Sequence, residues 1–179
     1  MPAPNQKEAV SAIEPDWSRE RMPGNWAPSR QLLRSLRGYQ HYAGRRGPVA
    51  WVGRKWNILR HRFWSVLCGA EIPVNTVIGG GLIMPHPNGV IINYKTVLGP
   101  NCLLQQQVTL GAGGLIPGTP IVGGHVDIGA GAKVLGGVRL GDHCVVGPNA
   151  VVLDHVPRGA TVVGVPARIV DCREISADT

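Results

Sequence analysis

The chain has 179 residues, 44% of them hydrophobic but only 5% aromatic, with 25 glycines, one phenylalanine and a formal net charge of +7. That length allows one domain with an appendage and a sizeable core, and the shortage of rings suits a thin core of small β-branched side chains. No run is long and apolar enough to span a membrane, and the opening MPAPNQKEAV lacks the basic-then-apolar pattern of a signal peptide.

The charge is uneven: between Met22 and Ala70 stand nine Lys or Arg and no acidic residue, whereas the region after it is close to neutral. Cys68, Cys102, Cys144 and Cys172 lie far apart and form no CxxC. Such thiols point to reduced, structural cysteines and a cytoplasmic compartment.

Residues 1–29 are rich in proline and poor in aliphatics, which predicts irregular chain. Residues 30–43 (RQLLRSLRGYQHYA) predict a short helix, and Gly44 follows it. Gly47-Pro48 opens a second helix that Cys68-Gly69 ends. In it Val52, Trp56, Leu59, Phe63 and Val66 recur at steps of four and three and share one apolar face. Arg54, Lys55, Arg60, His61 and Arg62 lie mostly away from that face. The plainer reading is a cap over the open end of the following repeat, with the basic face solvated. The sharper reading, compatible with the first, is contact with an anionic membrane surface through Lys, Arg and Trp. No nucleic-acid reading motif accompanies the basic residues, so a nucleic-acid partner is not expected.

From Ile72 the period is six: IPVNTV, IGGGLI, MPHPNG. The next segment, VIINYKTV, is two residues too long, which predicts a bulge or turn at Asn93-Tyr94. The phase resumes with LGPNCL, LQQQVT and LGAGGL, and IPGTPI (116–121) forms a loop that leaves the coil. Val122 to Pro157 is an uninterrupted run of six hexads, with Val, Ile or Leu at every first position and Val, Ala or Cys at every fifth. A period of six fits neither an α-helix nor a plain alternating strand. It is the signature of a left-handed parallel β-helix of hexapeptide repeats, here about four coils. After Pro157, RGATVVGVPARIV is expected to leave the prism, before a polar tail. The predicted division is 1–29 irregular, 30–69 a basic helical cap, 70–170 the β-helix and 171–179 the tail.

Of six histidines, His41 and His61 read as surface residues, and His125, His143 and His155 fall at fourth positions, where solvated corners are expected. His86 differs, lying between two prolines that stiffen its backbone. A rigid, projecting imidazole suits a general base. Glu71, fifteen residues upstream and close to one coil turn away, is placed to hold the far ring nitrogen.

From Cys68 to Val170 the chain resembles the hexapeptide acyltransferases of the serine acetyltransferase type, through IGGGLIMPHPNGVII, LLQQQVTLGAGG, IGAGAKVLG, VVGPNAVVLDHVP and GVPARIV. The resemblance implies an acetyl-CoA-dependent O-acetyltransferase in which His86 takes the proton of an acceptor hydroxyl, Glu71 supports it, and no acyl-enzyme forms. It places Gly111, Ala112 and Ala130 along the acetyl-CoA groove, with Lys133 and Arg168 as weaker phosphate partners and no metal. It also implies a homotrimer whose groove lies between neighbouring prisms. The chain departs from the type in two places. Pro85 stands where an aspartate precedes the histidine, and Pro117-Gly118-Thr119-Pro120 replaces an aspartate-arginine-histidine-proline segment. In the family those charged residues contact the amino acid. Their loss turns the expected acceptor toward a sugar hydroxyl of an exopolysaccharide, capsule or precursor at the inner membrane face, with serine as the alternative. Metal-dependent hydrolysis and a non-catalytic scaffold are the remaining classes.

Overall fold

The computed structural model describes residues 10–21 and 27–172. Helix α1 (Pro28–Ala43) and helix α2 (Pro48–Cys68) each start on a proline, which has no N–H to leave unpaired there. Gly69 ends α2 in the left-handed conformation (φ 61°), its N–H returning to Ser65 O and Val66 O.

Among the described residues thirteen short strands follow, and all but the last stack in parallel on three walls. The first wall holds β1 (Val77–Ile78), β3 (Val97–Leu98), β6 (Ile121–Val122) and β9 (Arg139–Leu140). The second holds β4 (Leu103–Leu104), β7 (Asp127–Ile128), β10 (Val145–Val146) and β12 (Ala160–Val163), with β13 (Arg168–Cys172) added antiparallel to β12. The third holds β2 (Ile91–Ile92), β5 (Thr109–Gly111), β8 (Lys133–Leu135) and β11 (Val151–Val152). The chain visits the walls in rotation, so this is a three-walled parallel β-helix.

The hexad rule survives in detail. First-position Val122, Ile128, Val134, Leu140, Val146 and Val152 point inward, as do fifth-position Val126, Ala132, Val138, Cys144, Ala150 and Val156, and none is more than 5% exposed. Inward residues therefore alternate at spacings of two and four, and one extended core runs the length of the prism. The corners turn through positive φ at Asn101, Gln107, His125, His143 and Asn149. Asparagine and histidine tolerate that region better than most side chains.

Several expectations are corrected. The two surplus residues lie not at Asn93-Tyr94 but between Met84 and Val90, inward residues six apart instead of four. The strands β2 and β3 keep the ordinary spacing of six. The surplus thus expands the corner that carries Pro85, His86 and Pro87. The segment after Pro157 does not leave the prism at once, because β12 pairs in parallel with β10 and only β13 turns back. The 116–121 loop is wider: the chain is off the walls from Ala112 to Pro120, though Ile116 packs against the core.

The apolar stripe of α2 does not face the cap: Trp56 (59%), Phe63 (61%) and Val66 (84%) are exposed. Ala50, Asn57, His61 and Cys68 are buried instead. His61 is no surface residue. Its Nε2 lies 2.6 Å from Ile72 O and its Nδ1 3.1 Å from the hydroxyl of Ser35, which donates to Leu32 O (2.6 Å). Burial lowers its pKa below the usual value, so the ring is held neutral. Leu32, Leu33 and Leu36 of α1 reach the β-helix core, joined by Cys68 at the end of α2, with Trp64 of α2 packed against it. Arg37 donates to Ile78 O and Gly79 O at 2.6 Å each, and its ion pair with Glu20 (2.8 Å) anchors the segment before α1.

Residues 10–21, expected to be irregular, lie along the prism and include a 3-10 turn at Trp17–Glu20. The Asn101 side chain holds them, donating to Ser11 O and Glu14 O (2.7 Å each) and accepting from Asp16 N (2.8 Å). The rest of the expected irregular segment, 1–9 and 22–26, and the tail beyond Cys172 lie outside the described residues.

The cysteines are free, with Cys68, Cys102 and Cys144 buried and Cys172 exposed. His125 and His143 are not freely solvated corners: they are half-buried and share a hydrogen bond between Nδ1 atoms at 2.8 Å. His155 is exposed and accepts from Arg139 N (3.0 Å).

Candidate active site

The third wall carries a register of outward residues: Glu71 against Ile91, Ile91 against Thr109, Thr109 against Lys133, and Lys133 against Val151. Ala167 N continues it by donating to Val151 O (2.8 Å). Five steps of about 4.8 Å put roughly 24 Å between Glu71 at the base and the Ala167-Arg168 turn at the top.

The corner before this wall stacks Asn88, Gln106, Ala130 and Asn149, through Gln107 N to Asn88 O, Gly131 N to Gln106 O and Asn149 N to Ala130 O. His86, two residues before Asn88, belongs to this corner at its lowest level. Two coil steps put Ala130 about 10 Å above it. The His86 side chain is exposed on the expanded turn. Fifteen residues separate it from Glu71 in sequence, and no hydrogen bond or ion pair joins them within one chain; Glu71 is itself exposed.

The corner after the wall carries Gly111 and Ala112. Glu71 and Gly111 line one hollow of about 210 Å³ with Pro73, Ile91, Asn93 and Tyr94. Asn93 and Tyr94 were read in the sequence only as a bulge; their place beside Gly111 follows from the register of β2 with β5. A Cβ on Gly111 would meet only Thr109 Cγ2 (3.6 Å) and Leu135 Cδ2 (3.7 Å), so its surface stays open to a ligand.

Lys133 lies mid-wall, its Nζ donating to Gln107 O (2.7 Å). Arg168 is exposed at the top and lines a separate hollow with Val152, Asp154 and His155. Glu71, His86, Gly111, Ala112, Ala130 and Lys133 therefore share the third wall and its two corners, whereas Arg168 begins β13 on the second wall. Ala130 and Gly111 stand at opposite edges of it, on the order of 15 Å apart by strand rise. Among the described residues no group of three or more His, Cys, Asp or Glu could hold a metal ion.

Residues 119–154 match the family model described as bacterial transferase hexapeptide (six repeats). The particular relatives are serine acetyltransferases. One from Synechococcus elongatus is 40% identical over 107 residues, 59% of this chain and 44% of that protein. One from Mycobacterium tuberculosis is 41% identical over 110 residues, 60% of this chain and 48% of that protein. Among solved structures, a serine acetyltransferase in complex with CoA superposes with TM-score 0.67 and 31% identity, covering 81% of this chain and 58% of that one. The Vibrio cholerae enzyme gives TM-score 0.69 and 30% identity over 84% of this chain and 57% of that one. This chain spans less than half the length of those curated relatives.

These relatives overturn the sugar acceptor. The expectation of an exopolysaccharide or capsule substrate rested on missing charged contacts at Pro85 and 117–120, and the proteins this chain is similar to are serine acetyltransferases. An absent contact identifies no replacement ligand, and that was the weakness of the inference.

Proposed function

We propose that the chain is an acetyl-CoA-dependent serine O-acetyltransferase built on a left-handed hexapeptide coil, with acetyl-CoA as co-substrate and no metal. The observation that carries the reading is the two-residue expansion at the Pro85–Pro87 corner. It departs from the repeat on the same wall as Glu71, Gly111 and Lys133, in a chain similar to serine acetyltransferases.

In the proposed reaction neutral His86 accepts the proton of the serine hydroxyl as its oxygen attacks the thioester carbonyl. The tetrahedral oxyanion collapses, the C–S bond breaks, and the His86 imidazolium returns the proton to the CoA thiolate. Glu71, one coil from the His86 corner, is the positioning carboxylate. Gly111, Ala112 and Ala130 leave room for the pantetheine arm against backbone N–H and C=O groups. Lys133, mid-wall, and Arg168, at the turn above it, are the cations offered to the CoA phosphates.

Opposite-corner placement of Ala130 and Gly111 favours a homotrimer with the groove between prisms. The outward stripe Val77, Val97 and Ile121 on the first wall (60%, 38% and 45% exposed) is apolar surface that such packing would cover. The reading includes the division 30–69 helical cap and 70–170 transferase domain, and a cytoplasmic location.

The test is the initial rate of CoA thiol release with acetyl-CoA and L-serine, for wild type and His86→Ala. The wild type should turn over serine, and the variant should lose on the order of 10²–10⁴-fold in kcat with its assembly intact. Equal rates in the two proteins would refute the assignment of His86.

A further inference from the structure

The face of α2 turned away from the rest of the chain carries Val49, Val52, Trp56, Leu59, Phe63 and Val66 at successive steps of three, four, three, four and three, all between 57% and 84% exposed. The opposite face is already used, with Ala50, Asn57, His61 and Cys68 buried. The stripe spans 18 residues, about 27 Å of helix. One edge carries Lys55 and Arg62, and Lys55 Nζ lies 6.0 Å over the exposed Trp51 ring. Arg60 lies on the other edge, and Arg45 and Arg46 precede the helix. No acidic residue occurs between Met22 and Ala70. Among the described residues no helix is long and apolar enough to cross a membrane.

We infer that α2 is a docking surface for an anionic lipid bilayer, lying in the plane of the interface. Its stripe enters the acyl boundary, and its flanking cations reach the headgroup phosphates and carboxylates. Charge decides between occupants. Two copies packed stripe to stripe would each present cations along the seam, and α2 has no carboxylate to receive them. A lipid surface offers negative charge along both edges at once, together with an apolar layer for Val, Leu and Phe. Tryptophan, with an apolar body and one N–H donor, suits the boundary between the two. The stripe is too exposed for a helix whose only task is to pack on α1. The inference is independent of the acetyl-transfer reading.

The test uses the full chain in flotation with vesicles of phosphatidylcholine alone or with about a third phosphatidylserine, at low and high salt. Binding is expected to the anionic vesicles, to weaken with salt, and to be near background on phosphatidylcholine alone. Lys55→Glu/Arg62→Glu should weaken partition well over tenfold, at roughly fivefold for each cation removed and more for the reversal. Phe63→Glu should abolish it while the circular dichroism spectrum and melting temperature stay at wild-type values, because the side chain touches solvent. Failure to float with anionic vesicles, or equal binding to neutral ones, overturns the proposal. So does a doubling of solution mass that Phe63→Glu removes, which would give the stripe to a second copy.

Discussion

One corner of the prism is a column of glycines, Gly79, Gly99, Gly123 and Gly141, each hydrogen-bonded through its N–H to the next coil. A Cβ on Gly99 would lie 2.5 Å from Gly123 C and O and 2.7 Å from Gly124 N. All three are backbone atoms, so no side chain can rotate aside, and the gap is about 1 Å short of van der Waals contact. Opening the coils by that amount carries the Gly99 N to Val122 O bond from 2.9 Å past the usual hydrogen-bond limit. Overpacking of about 1–3 kcal/mol, with about 1 kcal/mol for the weakened bond, gives Gly99→Ala a cost of roughly 2–4 kcal/mol. For a chain of this size that is a fall in melting temperature of about 5–15 °C at fixed protein concentration. Gly111→Ala is the paired control. Its methyl meets nothing closer than 3.6 Å, so stability should hold within about 0.5 kcal/mol. The same methyl enters the proposed groove and should raise KM for acetyl-CoA. A Gly99→Ala protein melting within about 1 °C of wild type, or a Gly111→Ala protein that falls as far, would refute the reasoning.

Three further outcomes follow from buried polar groups. His61 is held neutral with its pKa lowered by burial, so the unfolded chain binds the proton first as pH falls. Stability is whole above about pH 6.5 and declines below it toward the folded value. Urea midpoints from pH 8 to 5 should show a steeper acid loss in wild type than in His61→Asn, and identical slopes would contradict it. Burial pushes the thiols of Cys102 and Cys144 up to about 12 and about 11. A thiol reagent at pH 8 should therefore label Cys172 rapidly and those two only on unfolding; fast labelling of Cys102 in the folded protein would overturn the buried assignment. Asn101→Ala removes three hydrogen bonds to residues 11–16 and leaves an alanine at φ 60°. It should cost roughly 3 kcal/mol and speed proteolysis between residues 10 and 21, and an unchanged cleavage pattern would argue against the strap.

The repeat was readable because every inward position obeys one spatial rule, and Val122 to Pro157 shows it without interruption. The location of the surplus residues was not, since a count of hexads registers an excess but cannot say which corner absorbs it. Only Met84 and Val90, both inward and six apart, settle that. The α2 stripe was visible as a face, but periodicity does not say which way a face points. The buried side holds Asn57 and His61, whose polarity is met by Gly53 O, Ser35 and Ile72 O, partners contributed by tertiary structure or the helix's own preceding turn. Likewise, nothing local in the sequence ties Asn101 to residues 11–16. For the site, His86 and Glu71 stood out by residue type and neighbours. That Ala130 and Gly111 occupy opposite edges of one wall needs the strand register, and the acceptor was misread because a missing contact was taken for a different ligand.

The most direct test of the central claim is product analysis after incubating the full chain with acetyl-CoA and L-serine. O-acetyl-L-serine should form one-for-one with free CoA, and none should form from His86→Ala above background. CoA release without acetylated serine, at millimolar serine and with folded protein, would contradict it.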